Sequence, residues 1–324
     1  MSTINERQNN TRNLEKLAAQ RALYSQAKVW LGISIIISMP LMVIITLLAL
    51  FFNNPNQAQN WGFVRTNLDW LVILVSFLVL LTNDLVLMHI VEYKKELASR
   101  IQESFDCDVL DLDWNHLVGE IPEPAQIYRN SRKLLEDPVQ KDKLRNWYGE
   151  NIDGVPQDAG KIICQLSNIA WDKTLREQYQ RGIFFFGMTM IIILFFFGIY
   201  LNLNFHEWIV FLLAPSFPII DTVIKHWHMQ HASIKTLKRM YKKANHEWKN
   251  YLKTLDESRI ITRQIQDEIY KHRRSNTPIF DWLYYWRRIS QEEEQSYSVE
   301  HYINEYEIVF NKAAPTVKTN IHSV

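Results

Sequence analysis

Apolar residues along the chain are gathered into a few long runs, and the stretches between them are strongly polar. Val29 to Phe52 holds no charged residue over 24 positions. At a 1.5 Å rise per residue, a helix of that length matches a hydrocarbon core of about 30 Å. A second run, Trp70 to Val91, carries Thr82, Asn83 and Asp84 in its last third. The third, Ile183 to Leu203, is dominated by Phe184 to Phe186, Ile191 to Ile193 and Phe195 to Phe197. The fourth, Trp208 to Ile224, is shorter and contains Pro215, Pro218 and Asp221, which predicts a kink or a tilt. The pattern predicts an all-α integral membrane protein with four spans in two transmembrane hairpins.

Charge placement orients those hairpins. Links within each pair carry one basic residue near the span ends, Arg65, whereas Lys16, Arg21, Lys28, Lys94, Lys95, Arg176 and Lys238 are among thirteen at the other boundaries. An excess of Lys and Arg marks the cytoplasmic side, so both termini and the centre are expected there. The chain then divides into an N-terminal helix (1–28), a first hairpin (29–91), a central helical segment (92–182), a second hairpin (183–224), a C-terminal helical segment (225–311) and a polar tail (312–324). The parts outside the hairpins make a helical cytoplasmic body.

Several landmarks recur. Arg21, Tyr24 and Gly32 match Arg176, Tyr179 and Gly187 at an offset of 155 residues. Ile101-Gln102-Glu103 then resembles Ile265-Gln266-Asp267, and Asp113-Trp114 resembles Asp281-Trp282. These matches suggest an internal duplication. From Ile219 to Thr277 there is neither Gly nor Pro, permitting one helix of up to about 88 Å. Within it Ile234, Leu237, Tyr241, Ala244, Trp248, Tyr251 and Leu255 share one stripe. Trp and Tyr suit a simple coiled-coil seam poorly, so the stripe is expected to pack within the chain, on the helix starting near Glu92. The central segment predicts helices at Pro122 to Glu136 and at Pro138 to Tyr148, the latter with Asp137 as N-cap, and an amphipathic helix after Pro156.

Composition narrows the function. Thirty-six Lys and Arg against 35 Asp and Glu give a net charge of +1, so no whole-protein field favours nucleic acid and no DNA or RNA polymer is expected as a partner. Nine Gly, none in a phosphate-binding loop pattern, leave no P-loop and no dinucleotide fingerprint. Two cysteines, Cys107 and Cys164, are too few for a disulfide scaffold and suit a reducing compartment. No hydrolase, zinc-protease or kinase signature is present, so neither enzymatic activity nor a cofactor is expected.

Candidate chemistry lies in four places. Asp106, Asp108, Asp111 and Asp113 crowd together near Cys107 and His116 without the Gly and terminal Glu of a calcium loop, and they read as solvated, helix-capping carboxylates. His226, His228 and His231 read as interfacial histidines, with a metal pair as the sharper alternative. Asp84, Asn83 and Asp221 are candidate pore-lining groups, because acids within spans face polar interiors. Pairing of those acids with Lys94 or Lys225 at the interface remains equally open. A pore needs several copies, so a homo-oligomer is expected. Finally, Arg145, Trp147 and Tyr148, and Arg273 and Arg274 with Trp282, interleave guanidinium forks with rings able to hold phosphates and stack a base. Anionic lipid contact and core packing are the competing readings of those residues.

Taken together, Leu17-Ala18-Ala19-Gln20-Arg21 with Tyr24-Ser25, Phe105-Asp106-Cys107-Asp108-Val109-Leu110 with Trp114-Asn115, and Cys164-Gln165 with Ser167-Asn168 and Trp171-Asp172 form an ordered set. Gln266-Asp267-Glu268-Ile269 with His272-Arg273, then Pro278 with Phe280-Asp281-Trp282, complete it. The set resembles the SMODS-associating four-transmembrane effector family of bacterial anti-phage systems. That resemblance implies an effector at the bacterial inner membrane, triggered by a cyclic oligonucleotide from a CD-NTase. It further implies opening or disruption of the lipid bilayer, with growth arrest or cell death as the outcome. The rival reading is a non-conducting membrane scaffold or receptor that recruits a partner through its helices.

Overall fold

The computed structural model describes residues 2–37, 44, 69–200, 205, 214–254, 259–280 and 296–311. Among the described residues all regular structure is helical. In chain order the helices are α1 (Ile4–Asn9), α2 (Thr11–Ile36), α3 (Asp69–Thr82), α4 (Met88–Leu110), α5 (Pro124–Leu135), α6 (Pro138–Asp142), α7 (Gln157–Tyr200), α8 (Ala214–Thr254), α9 (Arg259–Ser275) and α10 (296–311). A five-residue π-helical turn, Asn83–Leu87, joins α3 to α4.

Local sequence explains the short elements. Thr3 and Glu6 close a capping box on α1. Asp137 accepts from the backbone N–H groups of Val139 (2.9 Å) and Gln140 (3.4 Å) and starts α6, as its N-cap position predicts, although α6 stops at Asp142 well short of Tyr148. Helix α4 ends at Asp111, which takes a left-handed φ of +52°, and the Leu112 N–H donates to the Cys107 carbonyl (2.9 Å).

The chain forms two compact units. The first comprises Met1–Tyr24, Lys95–Glu177 and Ala232–Val324. In its larger core cluster Leu17, Phe105, Tyr148, Ile163, Leu166 and Trp248 are almost wholly buried, and a smaller cluster joins Leu23, Leu97, Ile101 and Ile127. Of the α8 stripe, Leu255 lies outside the described residues; Ile234, Leu237, Ala244, Trp248 and Tyr251 are buried as their spacing predicts, Tyr241 is half-buried, and the stripe packs within the chain. Its aromatic side chains, however, meet α10. Tyr241 and Tyr302 hydroxyls lie 2.8 Å apart, and Trp248 packs edge-on against Tyr302 and donates to Glu305 (2.8 Å). Rings some 55 to 60 residues farther along thus join the stripe, offering both stacking area and a polar acceptor, and the stripe shares its buried cluster with Phe105, Val109 and Leu110 of α4, the helix that runs on from Glu92. The single long helix expected from Ile219 to Thr277 is described as α8 and α9, with 255–258 outside the described residues.

The second unit comprises Ser25–Lys94 and Gln178–His231. In it the Ser34 hydroxyl donates to the Asn83 side-chain carbonyl at the π-helical turn. Gly187 permits a close approach, because a Cβ there would lie 2.9 Å from Val223 Cγ1. Phe184, Phe185, Ile192, Phe195, Phe196 and Ile199 are exposed along α7.

The four-span architecture predicted from hydropathy is not what these helices form. Among the described residues no helix is long and apolar enough to cross a membrane. Of the first run only residues 29–37 and 44 are described, and α3 has 14 residues, about 21 Å against the roughly 30 Å required. The apolar end of α7 is described as far as Tyr200, and the Pro215, Pro218 and Asp221 stretch opens α8, which soon becomes strongly basic. The charge count behind the orientation also changes meaning. Lys16, Lys95 and Arg176, read as boundary cations, are buried in the first unit at 2%, 4% and 6% exposure. The multi-pass inner-membrane placement, with its cytoplasmic termini, rested on those spans and is overturned with them.

Candidate functional site

Two carboxylates of α4, Glu103 and Asp106, lie one helical turn apart on its buried face at 0% exposure. Leaving them unpaired there would be prohibitive, and α9 supplies the partners. Arg273 Nη1 donates to Asp106 Oδ2 at 2.5 Å, and Arg263 Nη2 bonds Glu103 Oε1 (2.5 Å) and Asp267 Oδ1 (2.8 Å). Between them the Gln266 amide donates to both acids, to Glu103 Oε2 and to Asp106 Oδ2, each at 2.8 Å. Asp106 Oδ1 accepts from the Tyr148 hydroxyl (2.6 Å), which in turn accepts from Asn168 (3.1 Å).

Tyr148 reaches this position because α1 holds its loop. Gln8 accepts from the Tyr148 N–H (2.8 Å) and donates to the Gly149 carbonyl (3.0 Å). Asn9 pairs with Asn146 through both backbone and side chain, at 3.1 and 2.8 Å. Asn146 itself takes a left-handed φ of +54°, a conformation Asn tolerates better than most residues. The Tyr148 ring then stacks on Phe105 at 6.1 Å, and Trp147 meets the same ring edge-on at 6.4 Å.

A second charged group adjoins in sequence. His272 Nε2 lies 2.9 Å from Asp172 Oδ2, while Arg176 Nε donates to Asp172 Oδ1 at 3.0 Å and Nη1 reaches the Thr277 carbonyl at 3.5 Å. Burial pushes the Asp172 carboxyl up, but the Arg176 guanidinium and His272 outweigh it and hold it below the usual carboxylate range. The unfolded chain, with an ordinary carboxylate near pH 4, therefore takes up this proton first. The stabilisation is present above about pH 4 and is lost as pH falls through the folded-state value. Denaturant midpoints of the protein and of Asp172→Asn should accordingly differ most at neutral pH and converge in acid. A gap that widens below pH 4 would contradict the assignment.

Burial, then the charge of Asp106, pushes Glu103 upward, against the hydrogen bonds from Arg263 and Gln266. Burial likewise pushes the Cys107 thiol up to about 12 and Cys164 well above its ordinary value. Both thiols are free and buried. Ellman's reagent at pH 8 should therefore find almost no reactive thiol in the folded protein and both in guanidinium. Rapid reaction before unfolding would mean the core around Cys107 is open.

The sequence-predicted candidates divide sharply. Tyr148 and Arg273, from two separate candidate sites, converge on one carboxylate, Asp106. Arg145 stands apart, exposed and 3.7 Å from Asp142, and Arg274 pairs with Glu96 at 3.3 Å. Trp282 lies outside the described residues, as do the side chains of Asp84 and Asp221. Asn83 is placed against Ser34. The histidine group meets Trp227, whose ring stacks on His231 at 5.4 Å and meets His228 edge-on at 5.2 Å.

The aspartate group is not uniformly solvated. Asp106 is buried, and Asp108 pairs with buried Lys16 at 2.5 Å, Lys16 also donating to the Ser104 carbonyl at 3.1 Å. Asp111 lies 3.8 Å from buried Lys161, and the Asp113 backbone carbonyl accepts from Arg263 at 2.9 Å. Among the described residues no group of His, Cys, Asp and Glu is arranged to hold a metal ion. Sequence reasoning missed the parts played by Glu103, Arg263, Lys16 and the Asp172 pair. The available signal was a pair of acids spaced three apart among the apolar positions Ile101, Phe105 and Val109.

Comparison with known proteins places this network in context. A family model described as the SMODS-associating 4TM effector domain matches residues 2–302. A probable CBASS effector molecule of Bacillus cereus strain VD146 is 25% identical over 296 residues, covering 89% of this chain and 94% of the relative. No solved structure matches the chain. Asp106, Gln266, Asp267 and Arg273, all within the motifs that carry the sequence resemblance, take part in the buried network beside Glu103, Arg263 and Tyr148, and His272 belongs to the second charged group.

Proposed function

The chain belongs to the SMODS-associating 4TM effector family, and from that premise we propose that it responds to a cyclic oligonucleotide made by a CD-NTase and arrests growth by disrupting a lipid bilayer. Its place as an effector of CBASS anti-phage defence follows from the family and from the Bacillus relative. The observation that carries the finer reading is the convergence of the family motifs on one buried charge network in the first unit. Arg263 and Arg273 spend their guanidinium groups on Glu103 and Asp106, with side chains still 19% and 12% exposed. Phosphodiester oxygens present the same acceptor chemistry as those carboxylates. A ligand that takes either fork releases a buried acid, and a buried acid without its cation favours a rearranged state. Nucleotide binding thereby acquires the differential affinity that any switch requires.

The effect on the bilayer is assigned to the exposed aromatic and aliphatic residues of α7, Phe184 to Ile199, since exposed apolar patches of this kind mark contact surfaces. The assignment concerns disruption by contact and assembly, with several copies acting together. The test is dye leakage from vesicles of bacterial lipid composition, with purified full-length chain and a panel of cyclic di- and trinucleotides. Leakage only with an activating nucleotide is expected. Leakage indifferent to every nucleotide would remove the switch. Growth arrest in cells with intact membrane potential would remove bilayer disruption and favour a recruiting scaffold.

A further inference from the structure

Burial divides α8 into two faces of opposite character. Ile234, Leu237, Met240, Ala244 and Trp248 are buried in the core of the first unit, which fixes how the helix is rolled. On the outer face Lys235, Lys238, Arg239, Lys242 and Lys243 are exposed, and His246 and Lys249 continue the row. Every exposed position from Lys235 to Lys249 is therefore Lys, Arg or His, at the spacings that align on one helix face. Lys238 pairs with Glu177 at 3.0 Å; among the described residues none of the other Lys and Arg of the row forms an ion pair. The only acid of α8 within the row's span, Glu247, is half-buried.

Six Lys and Arg fall along about 21 Å of helix, one per roughly 3.5 Å. One strand of a nucleic-acid duplex carries a phosphate every 3.4 Å or so of axis. The net charge of +1, which led to the expectation of no polymeric nucleic-acid partner, averages over this row and conceals it.

We propose that the outer face of α8 binds the phosphate backbone of double-stranded nucleic acid without reading its sequence. Charge density on the two partners matches. Lysine dominates the row, supplying point charges rather than the bidentate forks that read bases. No Phe, Tyr or Trp ring is exposed along it, which disfavours a single strand, whose bases stack on such rings. A bilayer surface would be held by charge alone, because the apolar face of α8 is committed to the core and has nothing to insert.

The test is fluorescence anisotropy with the full chain, a labelled duplex of about 20 base pairs and salt from about 50 to 200 mM. The unmodified chain should bind with a steep salt dependence. A triple variant, K242E/K243E/K249E, should lower the slope of log affinity against log salt by about 2.7, at roughly 0.9 per lost phosphate contact. A control with the same change in net charge, K133E/K141E/K143E, alters exposed lysines outside α8 and should leave the slope unchanged. Circular dichroism melting should show all three proteins equally folded, since every substituted side chain is exposed. Absence of duplex binding at about 50 mM salt would overturn the proposal. Equal loss in both triple variants would do the same, as would binding to phosphatidylserine vesicles that the duplex fails to compete.

Discussion

Asp106→Ala should destabilise the first unit by about 3–5 kcal/mol, because it strips one carboxylate from three buried donors at once. The Arg273 guanidinium, the Tyr148 hydroxyl and the Gln266 amide all point at Asp106 within 2.5 to 2.8 Å. Small-to-smaller substitutions of solvated aspartates cost a few tenths of a kcal/mol, so the size of the effect separates a buried anchor from a surface acid. Asp106→Asn keeps the shape and removes the charge, and should cost about 1.5–3 kcal/mol. The double variant D106A/R273A should cost less than the sum of its two single variants, by about 0.5–3 kcal/mol, since the second change removes the cation that the first strands. Urea unfolding read by circular dichroism supplies all these values. Additive losses would mean that Asp106 and Arg273 do not form one interaction.

The second large effect is expected at Trp248. Its side chain is 0% exposed, stacks with Tyr251 at 6.1 Å, meets Tyr302 edge-on at 5.6 Å and donates to Glu305 at 2.8 Å. Trp248→Ala removes the largest fully buried side chain of the unit and should cost about 3–5 kcal/mol. Trp248→Phe retains most of the packing and loses the indole N–H, leaving a loss of about 1–2 kcal/mol. Near-equal effects of the two variants would show that the hydrogen bond to Glu305, rather than ring packing, fastens α10.

What could be read in the sequence depended on how local its cause is. The Asp137 cap and the Ile162, Ile163, Leu166 and Ile169 face of α7 follow from residues within a turn or two, and they stand where the pattern puts them. The α8 stripe was equally legible, but its partner was not. Periodicity shows that a face is buried, whereas the part played by Tyr302 depends on three-dimensional fit between rings far apart in sequence. Asp106 was misread for the same reason. Among Asp108, Asp111 and Asp113 it looks solvated, and the cation that justifies its burial lies 167 residues away.

The four spans failed at a different step. Hydropathy averages over a window, but a membrane crossing also requires a helix that stays continuous and apolar over about 20 residues. The 14 residues of α3 give way to a π-helical turn, and α8 passes quickly from Pro215 and Asp221 into its lysine row. The family resemblance proved more durable than the architecture. Its motif residues are spread over the chain, yet Gln266 and Arg273 meet Asp106 directly and Asn168 reaches it through Tyr148.

The measurement that bears most directly on the account is the unfolding temperature of the purified full chain titrated with cyclic di- and trinucleotides, for the unmodified protein and for Arg273→Lys. A ligand that binds the folded chain raises its stability by an amount that grows with the logarithm of its concentration, about 2.7 kcal/mol at a hundredfold excess over Kd. Such a rise is expected for at least one cyclic oligonucleotide, weakened in Arg273→Lys because the ammonium cannot reproduce the guanidinium fork. No rise with any nucleotide at millimolar concentration, from a protein that unfolds cooperatively, would contradict it.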